Sequence, residues 1–327
     1  MKNVNIRLTA LVDSLCDYTF NSHYLNQELD PDSLIPNQAG SSYTYKDLVD
    51  ALKGGVDVHI KGDVGERLAY SMGVDLKHLG GSGKPEPAGR VFVDGSVGSE
   101  AGMGMVSGAL YISQTVQEPL GNIIEVAPDV DGYRKFCSIT EIMCSKTGED
   151  TLMSNSLDED DNILTLNDGI LRGTIGARMD CRGSVRVESD VYNGTGLLMR
   201  QGIVYVKGNA GMNTGSRLAG GTVVIGGKVD EFAGAYMKSG SLVIKEAKGY
   251  VGANMTGGAI YSKKKVPLNP PATSVKKSSE NSKMLRRVLG VGQLEAMLYN
   301  KYEVGVEKEQ YMKVRMRDGS VVMRKVE

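Results

Sequence analysis

Two glycine-rich stretches are the first places where this sequence could bind a nucleotide phosphate. Residues 102–108 read GMGMVSG and space their glycines as G-x-G-x-x-x-G, whereas a dinucleotide-binding turn needs G-x-G-x-x-G within a βαβ unit. Residues 80–84 read GGSGK and resemble the end of a phosphate loop. His78, however, stands where the first glycine of such a loop belongs, and Pro85 stands where Ser or Thr would hold magnesium. We interpret the first stretch as a structural corner and the second as a flexible lateral loop.

Metal ligands and nucleophiles are scarce in the sequence. The chain has three histidines, His23, His59 and His78, and none lies in a His-x-x-x-His or His-Glu ligand pattern. His59 alternates with apolar neighbours, which places it on the outer face of a strand. No serine stands in the G-x-S-x-G pattern of a nucleophile elbow, so serine-hydrolase chemistry has little support.

Three carboxylates beside glycine-rich turns could be imagined as an acid pair. They are Asp63, Asp94 and Glu100. Isolated acidic residues at turns usually accept hydrogen bonds from the turn backbone, which explains these three without catalysis. The sequence therefore assigns no catalytic, cofactor-binding or metal-binding residue.

The cysteines do not form a recognisable metal or cluster motif. The four cysteines are Cys16, Cys137, Cys144 and Cys181. They contain no C-x-x-C pair, and the spacing from Cys137 to Cys144 is too wide for a structural zinc knuckle. We expect four reduced, unliganded thiols and no iron-sulfur cluster bound by this chain.

An internal repeat dominates the second half of the chain. The phrase Gly-x-x-Met/Leu-x-x-Gly occurs as GLLMRQG, GSRLAGG, GAYMKSG and GANMTGG, and GARMDCRG precedes them as a longer form. The first glycines are Gly176, Gly196, Gly215, Gly234 and Gly252, and the second are Gly183, Gly202, Gly221, Gly240 and Gly258. The residues between them are Met179, Met199, Leu218, Met237 and Met255. The second glycines are separated by 19, 19, 19 and 18 residues, which is the signature of a repeat architecture.

Each phrase is followed by a short segment with strand-like alternation: SVRVES, IVYVKG, TVVIGG, SLVIKE and AIYSKK. A repeat this short cannot bury its apolar face alone, but stacked coils bury a continuous column of valine, leucine and isoleucine. Glycine supplies the positive φ or close approach that corners need, and the Met or Leu fills the column. The sequence predicts an all-β protein, a right-handed parallel β-helix with about 19 residues per coil.

Two other architectures fit the repeat less well. Glycines six apart around a methionine could sit on a helix, but each would cost about 1 kcal/mol there. A leucine-rich horseshoe needs an L-x-x-L-x-L framework, which is absent from the sequence.

The repeat divides the chain into five segments. Residues 1–53 form an N-terminal segment that we interpret as a cap, and 54–116 contain the first, divergent coils. Residues 117–168 break the period with prolines and an acidic run, so we interpret them as an insertion. The regular coils occupy 169–262, and 263–327 form a basic linker and helical tail.

Composition places the chain among soluble, folded proteins. Its 327 residues are 41% hydrophobic, its formal charge is −1, and no apolar run is long enough to span a bilayer. Neither nucleic acid nor a membrane surface is indicated as partner, and we expect a cytoplasmic location. The segment from Lys263 onward has 15 basic and 7 acidic residues, which fits either a solvated tail or a contact with an acidic partner.

The regular block resembles a known family. The G-x-x-M-x-x-G phrases, with VKGNAG at 206–211, GGTVVIGG at 220–227 and GGAIY at 257–261, are similar to the GXGXG β-helix domain. That domain is found at the C-terminus of the glutamate synthase large subunit, and it also forms one of the subunits of formylmethanofuran dehydrogenase. The resemblance is strong over 169–262 and weaker over 54–116, and the longer arrangement resembles that of some archaeal relatives.

The resemblance implies a structural role. In that family the β-helix packs against larger catalytic subunits, and flavin, iron-sulfur or metal cofactors belong to those partners. We therefore expect a non-catalytic scaffold subunit of a multi-subunit redox or one-carbon enzyme, with no cofactor bound by this chain. Two alternatives stay open: an autonomous enzyme with a site in the insertion and the 78–90 loop, or a homo-oligomer joined through open solenoid ends.

Overall fold

The computed structural model of the chain describes residues 3–21, 29–145, 151–305, 311–315 and 321–325. It confirms the predicted β-solenoid. Strands of successive coils pair in parallel so that Ser184, Ile203, Thr222, Ser241 and Ala259 lie side by side, at spacings of 19, 19, 19 and 18 residues.

The first stack of coils uses the N-terminal half of the chain. Its elements are β1 (Val4–Arg7), α1 (Tyr45–Lys53), β2 (Val58–Lys61), β3 (Arg90–Asp94) and β4 (Ala109–Ile112). The four strands pair in parallel in chain order. Since β1 pairs with β2, the solenoid starts inside the segment 1–53 and not near residue 54, where the sequence analysis placed its start. The missed strand has no glycine phrase after it, because the corner that follows has Ser14 and Cys16, and not glycines, in positive φ.

The insertion, residues 117–168, departs from the parallel coils after β4 and rejoins them at its last strand. It contains β5 (Ile123–Val126), β6 (Arg134–Ser138), α2 (Ile139–Ser145), β7 (Ser156–Asp158) and β8 (Ile163–Leu166). β6 pairs antiparallel with both β4 and β5, which ends the first parallel sheet. β8 pairs in parallel with the following strand and opens the second sheet.

The regular coils form the second stack. Their strands are β9 (Ser184–Val187), β10 (Ile203–Val206), β11 (Ala219–Ile225), β12 (Lys228–Val229), β13 (Ser239–Ile244), β14 (Glu246–Ala247) and β15 (Ala259–Ser262). Their inward residues form a fully buried ladder of Val185, Val204, Val223, Leu242 and Ile260. Burying each such side chain contributes about 1.5–3 kcal/mol, so the column supplies a large part of the stability.

The repeated glycine and methionine meet between coils. All ten repeat glycines have positive φ, from 67° to 154°, and the five Met or Leu side chains are at most 1% exposed. A Cβ built on Gly202 would lie 2.3 Å from Cε of Met179, and one built on Gly221 would lie 2.7 Å from Cε of Met199. The methionine of one coil therefore occupies the space that the second glycine of the next coil leaves empty.

The C-terminal segment closes the far end of the solenoid. It contains β16 (Ala272–Val275), α3 (Ser279–Leu289), α4 (Gln293–Met297), β17 (Asn300–Val304), β18 (Tyr311–Arg315) and β19 (Val321–Lys325). β17 pairs antiparallel with β15 and with β16, and so covers the edge of the last coil. Leu285 of α3 and Ala296 of α4 pack on Val224, Val243 and Tyr261, which point outward from the sheet. The predicted C-terminal helical extension is confirmed, and it is joined by β16 and β17.

The expectation of four free thiols was wrong. Cys144 and Cys181 form a disulfide with their Cα atoms 5.4 Å apart, and Cys16 and Cys137 are buried thiols. The insertion returns to the solenoid so that the end of α2 lies beside the corner after Met179. The two cysteines are 37 residues apart, so no local spacing in the sequence reveals the pair. Among the helices in the described ranges, none has the length and apolarity needed to cross a membrane.

Candidate binding cleft

The corners of the solenoid carry two columns of outward residues in left-handed conformation. One column precedes the buried Met or Leu and consists of Ser71, Gly104, Arg178, Leu198, Arg217, Tyr236 and Asn254, with φ from 53° to 65°. The other consists of Arg67, Glu100, Thr174, Gly194, Asn213, Phe232 and Tyr250, with φ from 52° to 78°. Backbone hydrogen bonds join neighbouring corners, such as Arg178 N to Leu197 O at 2.8 Å and Arg217 N to Ala235 O at 2.8 Å. The columns are therefore held in fixed register along the solenoid.

A cleft of about 470 Å³ runs between these two columns. Met103, Leu197, Ser216 and Ala235, which lie between the columns in sequence, contribute to its lining. Coils stack about 4.8 Å apart, so a cleft that spans the levels from Ser71 to Tyr236 is an elongated groove. Its volume lies within the roughly 300–1,000 Å³ range of small-molecule sites.

The cleft lies where one coil lacks a corner. In residues 116–126, all of which the structure describes, no residue has a positive φ, and the chain enters β5 directly after Asn122. The corners on either side therefore come into direct contact, and Gly104 N donates a hydrogen bond to Oγ1 of Thr174 at 2.8 Å. The small residues Ser71 and Gly104 precede Arg178 in their column, which leaves open space in front of the arginine.

The side chain of Asn122 makes hydrogen bonds behind the cleft, at the level where the corner is missing. It is fully buried, and its Oδ1 accepts a hydrogen bond from Gly176 N at 2.9 Å. Its Nδ2 donates to Met105 O at 2.9 Å and to Oγ1 of Thr140 at 2.7 Å. One side chain thus links the first stack, the insertion and the first regular corner.

Arg178 and Arg217 give one side of the cleft positive charge. Burial withdraws the Arg178 guanidinium from water and, with the charges of Arg200 and Arg217, lowers its pKa to about 10, although the charge of Tyr70 opposes the shift. Within the described residues, no carboxylate lies within salt-bridge distance of Arg178. Burial and the charges of Arg178 and Arg217 also lower the pKa of His78, which lies outside the lining of the cleft, in the 78–90 loop.

The opposite end of the cleft is acidic and aromatic. Glu100 lies 3.5 Å from Arg67, and the Arg67 guanidinium stacks 4.2 Å from the ring centroid of Tyr70. Arg67 also lies 3.7 Å from Asp17, so its charge is balanced. Burial, with the charge of Glu100 and a hydrogen bond to it, raises the pKa of Tyr192, which keeps the phenol protonated at neutral pH. The cleft therefore offers unbalanced positive charge at one end and tyrosine rings along its length.

Aromatic rings extend the two columns from the wall of the cleft outward: Phe232 and Tyr236 line the cleft, and Tyr250 lies beyond it. Phe232 and Tyr250 stack with ring centroids 4.8 Å apart, and the Arg217 guanidinium lies 5.0 Å from the ring of Tyr236. Tyr236 is 47% exposed and Tyr250 is 50% exposed. We call Arg217, Phe232, Tyr236 and Tyr250 the aromatic rim.

The residues considered for chemistry in the sequence end up in different places. Glu100 lies in the cleft, whereas Asp63 accepts a hydrogen bond from Ser96 N at 2.8 Å and Asp94 accepts one from Tyr133. His59 stacks on a phenylalanine ring on the outer face of the first sheet, as its alternation predicts.

Other sequence candidates do not join these groups. His23 lies outside the described residues. In the described ranges, no residue of the insertion 117–168 lines the cleft, and no group of three or more His, Cys, Asp or Glu side chains could hold a metal ion.

Sequence reasoning missed the residues that give the cleft its charge. Arg178 and Arg217 stand directly before Met179 and Leu218 in the repeat phrase. Aligning the phrases shows this variable column, whose members point to solvent because their neighbours Met and Leu point inward. This column could have been found from the sequence. That it shares a cleft with Tyr70 and Glu100 depends on the shortened coil, which the repeat does not predict.

Comparisons with known proteins give a sequence relative and a distant structural likeness. No known protein-family profile matches the chain. An uncharacterized protein of Methanothermobacter thermautotrophicus strain Delta H is 39% identical over 212 residues, which are 64% of this chain and 67% of that protein. A chain of the formyltransferase/hydrolase complex FhcABCD from Methylorubrum extorquens, solved with methylofuran, aligns over 90% of this chain and 91% of its own length. That alignment has 15% identity and a TM-score of 0.30, which is too low to assign function.

Proposed function

We propose that this chain, which belongs to the same family as the uncharacterized Methanothermobacter thermautotrophicus protein, is a non-catalytic interaction subunit of a multi-subunit redox or one-carbon enzyme. The observation that carries this proposal is the aromatic rim, whose Tyr236 and Tyr250 rings are about half exposed and whose backbone is held in place by the stacked corners. The glycine phrases, by their resemblance to the GXGXG β-helix domain, support a glutamate synthase-like or formylmethanofuran dehydrogenase-like assembly. Flavin, iron-sulfur or metal cofactors would then belong to the larger catalytic partners.

The chemistry of the rim suits protein binding. Tyrosine and arginine are enriched among residues that dominate binding energy at protein interfaces. The ring stack between Phe232 and Tyr250 and the contact of Arg217 with Tyr236 order these side chains before a partner arrives. Little side-chain entropy remains to be lost on binding, so a larger share of the contact energy is available for affinity.

The test is recovery of the tagged protein from extracts of its native cells at low salt, followed by identification of stoichiometric companions. We expect a catalytic subunit to co-purify with the unmodified chain. Tyr250→Ala removes an interface ring, and a residue that dominates an interface costs about 2 kcal/mol or more on truncation, so affinity should fall at least about tenfold. Leu294→Ala is the matched control, because Leu294 is 82% exposed and lies on α4, outside the rim.

Each outcome separates the parts of the proposal. A companion that is retained by Leu294→Ala and lost from Tyr250→Ala supports docking through the rim. A companion retained equally by both variants contradicts the rim as the docking surface. The absence of any companion with the unmodified chain would overturn the interaction-subunit function itself.

A further inference from the structure

The cleft between the corner columns contains an unbalanced positive charge. Where the chain withdraws an arginine from water elsewhere, it supplies carboxylates: Arg172 has Asp168 at 2.7 Å, and Arg67 has Asp17 and Glu100. Arg178 is partly withdrawn from water, yet no carboxylate in the described part of the chain pairs with it, and the charges that act on its pKa include two further arginines. A desolvated guanidinium without a counter-charge raises the free energy of the empty site, and a bound anion would offset that cost.

Arg217 adds a second guanidinium to the same cleft. It stands two coils from Arg178 in the same column, so the two Cα atoms lie about 10 Å apart by the usual coil spacing. Arginine side chains are long enough to converge from this separation on one anionic group, and Arg217 gives up its contact with the Tyr236 ring, 5.0 Å away, to do so. Two planar guanidinium groups favour carboxylate and phosphate oxygens, which they bind through paired hydrogen bonds.

The remaining lining suits the body of a small molecule. Tyr70 and Tyr192 offer ring faces, while Asn193 and Ser216 offer hydrogen-bonding groups. A concave site with apolar and aromatic walls and a few convergent polar groups is typical of ligand binding. Its lining is also distinct from Tyr250, which lies on the rim outside the cleft.

We infer that this cleft binds a small organic anion, whose carboxylate or phosphate group is held by Arg178 and Arg217 and whose ring or apolar body lies against the tyrosines. Arg217 belongs to both the cleft and the aromatic rim, but this inference does not rest on docking of a partner subunit, because its tests use this chain alone. If the chain does dock as proposed, the anion is held next to the partner's surface.

The experiment is isothermal titration calorimetry on the full chain with phenyl phosphate, benzoate and phenol as probes. We expect phenyl phosphate, benzoate or both to bind, and phenol, which lacks the anionic group, to bind at least about tenfold more weakly. The two anionic probes distinguish a phosphate ligand from a carboxylate ligand. Arg178→Gln should weaken the anionic probe at least about tenfold, since a charge-assisted hydrogen bond is lost.

Arg186→Gln is the matched control, because Arg186 is exposed on β9 in the coil that follows Arg178 and does not line the cleft. It should bind the probes as the unmodified chain does. Failure of both anionic probes to bind, or equal binding by Arg178→Gln, overturns the inference. Binding of a hexaglutamate peptide in the absence of binding by either small probe would also overturn it, in favour of an acidic protein segment.

A second measurement uses the unmodified chain and is independent of how the variants fold. The arginine charges contribute to the lowered pKa of His78, so a bound anion should raise that pKa. An NMR titration of the histidine ring protons with and without saturating phenyl phosphate or benzoate reports it, and His78→Gln identifies the signal. An unchanged His78 pKa at saturation by both probes would show that they bind elsewhere.

Discussion

Replacing Asn122 with alanine should lower the free energy of unfolding by about 3–5 kcal/mol, a large effect for one polar side chain. The residue lies where the shortened coil enters β5, and its amide makes three hydrogen bonds to three separate segments. It is fully buried, so water does not replace those partners after truncation.

The magnitude follows from what each partner keeps. Gly176 N loses its acceptor, and an unsatisfied buried N–H costs about 1–3 kcal/mol. Met105 O still accepts from Ser138 Oγ at 3.0 Å, and Thr140 Oγ1 still donates to Ala177 O at 2.7 Å. These two lose only a net hydrogen bond each, about 1 kcal/mol apiece. The sum gives the expected range.

Urea unfolding at pH 7, followed by circular dichroism, measures the change. The matched control is Asn209→Ala, because Asn209 also accepts from a backbone N–H, that of Lys228, and donates to Asp190, but it is exposed, so water can replace these partners. Its loss should cost about 1 kcal/mol or less. An Asn122→Ala variant as stable as the Asn209→Ala control would refute the argument that a side chain replaces the missing corner.

Two further changes test the glycine corners of the repeat and the ion pair between Asp168 and Arg172. Gly202→Val should lower stability by more than about 3 kcal/mol, because φ is 83° and the new Cβ would lie 2.3 Å from Met179 Cε and 2.9 Å from Cys181 O. Gly249→Val, where the nearest atom is 4.0 Å away, is the control, and equal thermal midpoints for the two would contradict the corner argument. Asp168→Asn should cost about 3–5 kcal/mol at pH 7, since it breaks a buried ion pair with Arg172. Burial would raise the pKa of Asp168, but its hydrogen bonds and the charge of Arg172 outweigh burial and lower the pKa. The stabilisation by the ion pair is therefore present above about pH 4, the usual pKa of Asp, and is lost as the pH falls through the lowered pKa. Urea unfolding of both proteins at pH 7 and pH 2.5 checks it, and a difference that does not shrink at the lower pH argues against the assigned charge.

The repeat could be predicted from sequence because it depends on short-range geometry. A glycine with positive φ beside a buried methionine recurs at constant spacing, and each coil repeats the same local requirement. The first coil was missed for two reasons: α1 and its loops separate β1 from β2, and the corner after VNIR has Ser14 and Cys16, and not glycines, in positive φ. Local pattern finds regular coils and fails where an insertion separates the paired strands.

The cleft and the disulfide depend on contacts between segments that are distant in sequence. Cys144 and Cys181 meet because the insertion returns to the solenoid beside Met179. Glu100 and Arg178 line one cleft because the coil between them has no projecting corner. Neither residue type nor spacing encodes that omission, which is a property of how the chain passes from β4 to β5.

The solenoid's regularity also explains why the cleft lies at its irregular point. Along a regular stack, the glycine, the buried methionine and the inward β-branched residues are fixed by packing, while the corner residue before the methionine is free to vary. In a regular stack, this variation produces no cleft, because the corners of neighbouring coils project equally far from the solenoid. Where the coil at 116–126 omits its corner, the column passes directly from Gly104 to Arg178, so that a corner residue that packing does not constrain becomes part of the wall of a cleft. The same omission requires Asn122 to satisfy Gly176 N, and the stability of the junction and the shape of the cleft therefore have one structural cause.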